Sequence, residues 1–406
     1  IKYYKTRFSD SVIISFLVLV NPIFVYSVWG FMTENYFLFF CLLALYFVFG
    51  FNSGVNEKAN FIFCNLFIVT AYLARQLGLV ISLAFIFNLI WTRKYKYAFF
   101  QSLIFMALLY YHFFIFPKGS EAFENKFVFS NLLYIRYISS MFYVILIYLS
   151  ALLLPLFSIV VVRFLRSGTR RRGISVSILA LSVVVFMTFY FKNIGWIGER
   201  LYYLNYTVNV NGFFPENLHG LKPIAESVGV FYPILDKLSK FFGVLAVVYI
   251  FNILRRKDKR ENNPGLSISL PILLIYSLML VISVRVYDRY LVPLFPIALL
   301  TVLPRNINLK GWERSLILVF TLIIGFYSYN YSADYIITNN HVWTKANEIS
   351  KTEGVSKNDI VTTVAWDYVY PQSKNIIYKF TYDDPSKQTY SKNYQLRIAE
   401  PYRLIL

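Results

Sequence analysis

Apolar stretches recur along this chain at 11–30, 35–51, 59–74, 77–91, 97–116, 139–164, 174–191, 234–254, 267–284, 289–303 and 314–330. Each approaches the run of about 20 apolar residues that carries a helix across the hydrocarbon core of a bilayer. Inside a bilayer, only helices and closed barrels satisfy their own backbone groups. The recurrence therefore predicts an all-α polytopic transmembrane bundle of about eleven spans, although 59–91 also reads as one broken pair around Arg75. Composition agrees: 57% of the 406 residues are hydrophobic and 15% are charged, against about 25% charged in soluble domains.

The net charge of +19 raises the question of nucleic acid, but the cations are dispersed in short runs between apolar segments. Arg166, Arg170, Arg171 and Arg172 form one run, and Arg255, Arg256, Lys257, Lys259 and Arg260 another. This is the positive-inside pattern, in which Lys and Arg loops stay cytoplasmic, and it implies no nucleic-acid partner. With eleven crossings, the basic linkers 92–96, 165–173, 255–263 and 304–314 share one side with Lys2, Lys5 and Arg7. The other side receives Glu34, Arg75, the loops 117–131 and 192–233, the turn Arg285–Arg289 and the tail 331–406. The chain is thus expected to have its N-terminus cytoplasmic and its tail external, meaning periplasmic or extracellular in a bacterium and lumenal in a eukaryote, with a bacterial plasma membrane as the expected location. Its membrane domain is 1–330, with external loop 192–233, and its small external α/β domain is 331–406.

Within the tail, Val342, Ala346 and Ile349 lie on one helical stripe, and Gly354 is a stop signal. Ile360–Trp366 and Ile376–Phe380 read as strands, with a turn at Pro371 and Ser373 between them. Cys41 and Cys64 sit in apolar segments and form no disulfide framework. The chain opens on Ile1 rather than Met, which predicts that its natural start lies upstream.

No phosphate-binding loop, dinucleotide fingerprint, zinc-protease helix or serine-hydrolase elbow occurs. His112, His219 and His341 are scattered. His219 with Glu199 and Glu216 makes a conceivable metal site, but ordinary loop residues are the preferred reading, so no metal ligands are assigned. A divalent cofactor is not readable from sequence.

Candidates for chemistry are charged residues at the external ends of spans, where ionisable groups are costly and tend to be functional. Glu34 reads equally as a general base, as a group that positions an acceptor hydroxyl, or as a favourable charge at a helix N-terminus. Arg75 offers a fork of donors for phosphate oxygens, or snorkels at the interface. In the stretch 285–296, Arg285, Asp288 and Arg289 pair with one another, or the two arginines hold a lipid-linked phosphate. Pro293 and Pro296 are expected to kink or unwind the following helix. The loop 192–233 carries Lys192, Glu199, Arg200, Lys222 and aromatics such as Trp196, Tyr202 and Phe213, suited to a membrane surface or to sugar rings.

Three stretches carry a family resemblance. They are Asn21-Pro22 followed by Phe31-Met32-Thr33-Glu34, then Arg289-Tyr290-Leu291-Val292-Pro293-Leu294-Phe295-Pro296, then Trp343, Ala346, Gly354, Asp359-Ile360-Val361 and Trp366. In this order the chain resembles the GT-C glycosyltransferases of the protein O-mannosyltransferase and aminoarabinose-transferase type. The resemblance implies transfer of a sugar from a polyprenyl-phosphate donor to a glycan, lipid or protein acceptor at the external face. It implies Glu34 as a catalytic carboxylate, Arg75 and Arg289 on the donor phosphate, and Arg285, Lys192 and Arg200 behind them. The family's first external loop carries an essential Asp with no counterpart here, so the main carboxylate is expected ahead of Ile1, unless the chain is an inactive relative. A polysaccharide polymerase or ligase, a lipid or glycan transporter and a structural membrane subunit are the competing readings.

Overall fold

A computed structural model describes residues 6–29, 33–115, 135–166, 232–255, 265–283, 288–303, 307–361, 366, 369–371, 378–380 and 395–396. The chain divides into two compact units, Ile1–Pro215 with Ser227–Ser328, and Glu216–Glu226 with Tyr329–Leu406.

In the first unit, the predicted span 11–30 is two helices, α1 (Phe8–Leu19) and α2 (Pro22–Trp29). Pro22 has no amide to continue α1 and is favoured at the first position of a new helix. Asn21 caps that helix, its Oδ1 accepting from the Ile23 amide at 2.9 Å, as an N-cap side chain should. The Val20 carbonyl, left at the break, accepts from the Ser328 hydroxyl.

Helices α3 (Thr33–Asn52), α4 (Glu57–Ala74), α5 (Gly78–Trp91) and α6 (Tyr95–Tyr110) follow with short connections, and each packs on the next. Short links make sequential helices antiparallel neighbours. Positive φ at Gly54, Asn56 and Arg93 turns the chain between them. A π-helical turn, Tyr111–Ile115, continues α6.

Segment 139–164 does not run straight. It is α7 (Ile135–Leu152) and α8 (Leu154–Arg166), whose axes meet at 91°. Pro155, in the first turn of α8, cannot donate into the preceding turn. Helix α9 (Tyr232–Arg255) packs on both, and α10 (Leu266–Ile282) packs on α5, α7 and α11 (Leu294–Val302). Segment 174–191, the loop 117–131 and residues 192–231 lie outside the described residues.

Among the described residues, two helices, Glu34–Asn52 and Tyr95–Ile115, are long and apolar enough to cross a membrane; a third qualifies if the bent α7–α8 pair is one span. The fold is predominantly helical, as an all-α bundle requires. Aromatic side chains knit its interior: the ring of the buried Phe51 meets those of Tyr97 and Phe85 edge-on at 4.9 and 5.9 Å. Outward faces stay apolar, with Phe99, Leu103, Met106 and Phe114 on and just past α6 all exposed. Exposed apolar faces of that extent mark contact with lipid or protein.

Helix α12 (Gly311–Thr352) runs 42 residues and passes from the first unit into the second. The predicted end of a span at residue 330 therefore marks no break. No glycine or proline occurs between Phe326 and Glu353, so nothing in the chain stops the helix.

In the second unit, α12 ends before Gly354, whose φ of +68° takes the left-handed turn. Ala346 and Ile349 of the predicted stripe are buried with Ile360 and Trp366, and Trp343, Val355 and Tyr370 pack against them. The side chain of Val342 lies outside the described residues. Three short parallel strands pair in the order β1 (Ile360–Val361), β2 (Tyr378–Phe380), β3 (Gln395–Leu396). Trp366 corrects the strand predicted over Ile360–Trp366: it is helical. Its Nε1 donates to the Ile360 carbonyl at 3.0 Å. Strand β3 has no counterpart in the sequence reading.

Candidate functional site

The corner between α4 and α5 fixes the first element of the site. Arg75 ends α4 in an extended conformation, its amide donating to the Ala71 carbonyl at 2.8 Å. Its carbonyl accepts from the Gly78 amide at 2.8 Å, closing the turn. A Cβ on Gly78 would collide with the Tyr72 amide nitrogen. Only glycine allows so close a backbone approach, and this tight corner aims Arg75.

Glu34, in the first turn of α3, meets it. One of the Arg75 Nη2–H groups donates to Glu34 Oε1. The pair is asymmetrically covered: the Glu34 side chain is 2% exposed and that of Arg75 is 19% exposed. Each charge also suits its own helix terminus, the carboxylate at an N-terminus and the guanidinium at a C-terminus.

The third element comes from the segment 289–296. The Arg75 guanidinium carbon lies 4.7 Å from the centroid of the Tyr290 ring. Tyr290 sits in a 3₁₀ turn, Asp288–Leu291, and its carbonyl accepts from the Tyr276 hydroxyl at 2.8 Å. Tyr276 is buried in α10 and stacks on Phe37 of α3, with centroids 6.4 Å apart. Burial alone would lower the pKa of Arg75, but Glu34 and the Tyr290 phenol outweigh it and hold the value above the ordinary one. The group is a permanent cation.

Pro293 and Pro296 do not kink a helix, as the sequence suggested. Pro293 immediately precedes α11 and Pro296 lies in its first turn, where a missing amide leaves no bond unmade. The carbonyl released at the turn, that of Tyr290, is the one Tyr276 takes.

Of the predicted site residues, Glu34 and Arg75 come together, and the backbone of Arg289 adjoins Tyr290 in the 3₁₀ turn. The Arg289 side chain, Arg285, Lys192 and Arg200 lie outside the described residues, as do His219, Glu199 and Glu216. Among the described residues no three His, Cys, Asp or Glu side chains group as metal ligands. Tyr290 and Tyr276 carry no assigned role in the sequence reading. The only signal for Tyr276 is a phenol inside an apolar helix, which has to find a partner when buried.

A separate polar group ties other helix ends. Arg163 donates from Nε to Glu313 Oε1 at 2.9 Å, from Nη2 to Glu313 Oε2, and from Nη2 to the Asn308 carbonyl at 2.7 Å. Asp10, fully buried, accepts from Arg314 Nε at 2.7 Å and from the Leu309 amide at 3.1 Å. Lys94 Nζ reaches Glu57 Oε1 at 2.7 Å and the Phe51 carbonyl at 3.2 Å.

No family model, curated protein or solved structure matches this chain.

Proposed function

We propose that this chain is a membrane glycosyltransferase of the GT-C type. It moves a sugar from a polyprenyl-phosphate donor to an acceptor at the external membrane face. The observation that carries the reading is the meeting of Glu34, Arg75 and Tyr290. They come from three separate stretches, and two of these stretches carry the family resemblance. A guanidinium held by a carboxylate and a ring, with its side chain 19% exposed, suits the oxygens of a lipid-linked phosphate.

The four ion pairs between separate helices, among the described residues, support the eleven-span threading. Arg75 with Glu34 joins two positions assigned to the external side. Lys94 with Glu57, Arg163 with Glu313, and Arg314 with Asp10 each join positions assigned to the cytoplasmic side. A span miscounted between two partners would set them on opposite sides.

In the reaction, the acceptor oxygen bonds to the anomeric carbon as the bond from that carbon to the phosphate oxygen breaks. The bonding pair leaves with the polyprenyl phosphate, and the acceptor proton passes to a base. Arg75 and Arg289 stabilise the departing phosphate, with Arg285, Lys192 and Arg200 in support. The test is to express the protein from its natural gene, purify it in nanodiscs and incubate it with a radiolabelled polyprenyl-phospho-sugar and a membrane glycan extract. Release of polyprenyl phosphate is expected, and it should disappear in Arg289→Ala while expression holds. Donor that stays intact would overturn the assignment and favour a transporter.

A further inference from the structure

Which of the paired charges faces a substrate is decided by their burial. A general base has to come within hydrogen-bond reach of the proton it takes. Glu34 is the covered partner of the ion pair and Arg75 the more open one. One carboxylate oxygen of Glu34 is already engaged by the guanidinium. Arg75 is fixed on three counts: by the Glu34 carboxylate, by the Tyr290 ring beneath it and by the Gly78 corner behind it. A guanidinium fixed in this way has lost little freedom still to be lost when an anion arrives, which is how preorganised sites gain affinity.

We infer that Glu34 is a positioning residue for Arg75 and not the base that takes the acceptor proton. Arg75 is the group of the pair that meets the lipid phosphate. Glu34 aims the guanidinium fork, and the Tyr290 ring backs it. The inference rests on the glycosyltransferase reading for the identity of the ligand, a polyprenyl phosphate. The aiming of Arg75 rests on the geometry alone.

The two roles predict opposite results for Glu34→Gln. A glutamine amide oxygen still accepts from Arg75 but takes no proton. Positioning predicts kcat within about threefold of the parent, an unchanged pH profile and a donor KM raised by less than about tenfold. A base predicts kcat lowered by about a hundredfold or more, with donor binding retained and one limb of the pH profile lost. Glu34→Ala removes the acceptor altogether and should weaken binding of undecaprenyl phosphate by about tenfold or more, as Arg75→Ala should.

The full chain in nanodiscs serves for all measurements. Retention of radiolabelled undecaprenyl phosphate is read beside the kinetics, and the unfolding midpoint of each variant is recorded. Should Glu34→Ala fail to fold, the glutamine variant still decides between the roles. A parent protein that retains no undecaprenyl phosphate overturns the functional reading itself. A parent that binds it, with a glutamine variant that binds but does not turn over, overturns the positioning role alone.

Discussion

The Arg75 guanidinium lies over the Tyr290 ring, 4.7 Å from its centroid, and so ties the α4–α5 corner to the turn that precedes α11. The contact reaches across the sequence but is short in space, because α10 packs on both α5 and α11. Tyr276 of α10 holds the Tyr290 carbonyl at 2.8 Å, so the backbone that carries the ring is tied to α10. Cation–π contacts contribute about 2 kcal/mol when desolvated. Here the contact gives the guanidinium a second fixed neighbour besides the Glu34 carboxylate.

Tyr290→Phe keeps the ring and should leave retention of undecaprenyl phosphate within about threefold, whereas Tyr290→Leu should weaken it by about tenfold. A double-mutant cycle with Arg75→Lys, read on unfolding midpoints in detergent, should return a coupling of about 1 kcal/mol. Additive losses in that cycle would mean that the ring does not hold the guanidinium.

Gly78 and Gly54 offer a controlled comparison. At Gly78 an added methyl would collide with the Tyr72 nitrogen and stand 2.6 Å from its Cα, and backbone cannot yield as a side chain does. Gly78→Ala should therefore destabilise by about 3 kcal/mol and reduce lipid-phosphate retention with it. At Gly54, with φ of +76° and open space around it, alanine meets only the left-handed strain of about 1–2 kcal/mol and should leave retention alone. Equal effects at the two sites would mean that the corner does not aim Arg75.

The Arg163–Glu313 tie has a pH signature. Burial would raise the pKa of Glu313, but hydrogen bonds from Arg163 and the Lys310 amide outweigh it and hold the value below the ordinary glutamate range. A carboxylate depressed in the folded state contributes stability that is fully present above the unfolded value, about 4.3. That contribution fades as pH falls from there through the lower folded value. Unfolding midpoints of the parent should thus drop below about pH 4 more steeply than those of Glu313→Gln. At neutral pH Glu313→Gln should lose on the order of 2 kcal/mol, because Arg163 is partly exposed and water compensates it in part. Parallel pH curves for the two proteins would remove Glu313 from the acid response.

The sequence makes part of this site legible. Apolar periodicity and the placement of lysines and arginines bring Glu34, Arg75 and the 289–296 segment to one side, because those signals are local and repeat at every span. The same signals cannot say which helices are neighbours. Tyr276 and Asp10 therefore pass unnoticed: the value of each depends on a partner from a distant segment, Tyr290 for one and Arg314 for the other. Pro293 misleads for a related reason. Its missing amide reads as damage to a helix, whereas the chain uses it where a helix begins. In the tail, the β-branched run after Ile360 suggests a strand as far as Trp366; Ile360–Val361 is one, but the Trp366 indole donates to the Ile360 carbonyl, a partner no local pattern shows.

The threading itself can be tested with single cysteines. Cys41 and Cys64 are both buried, so a membrane-impermeant maleimide should give little background and neither need be replaced. Gln76 lies beside Arg75 at the corner assigned to the external face. Exposed Lys96 lies in the basic linker assigned to the cytoplasmic face, and exposed Lys351 near the end of α12 belongs to the tail. In right-side-out vesicles, Gln76→Cys and Lys351→Cys should label at once, and Lys96→Cys only after the membrane is opened. α5 alone separates Gln76 from Lys96, so their opposite behaviour tests one crossing without reference to the others. Lys351 shares the side of Gln76 only if the number of crossings between them is even, which brings the count of spans through the undescribed region 167–231 into the same measurement. Labelling of Lys96→Cys in sealed vesicles would invert the threading, and would take Arg75 away from the face where a lipid-linked sugar is used.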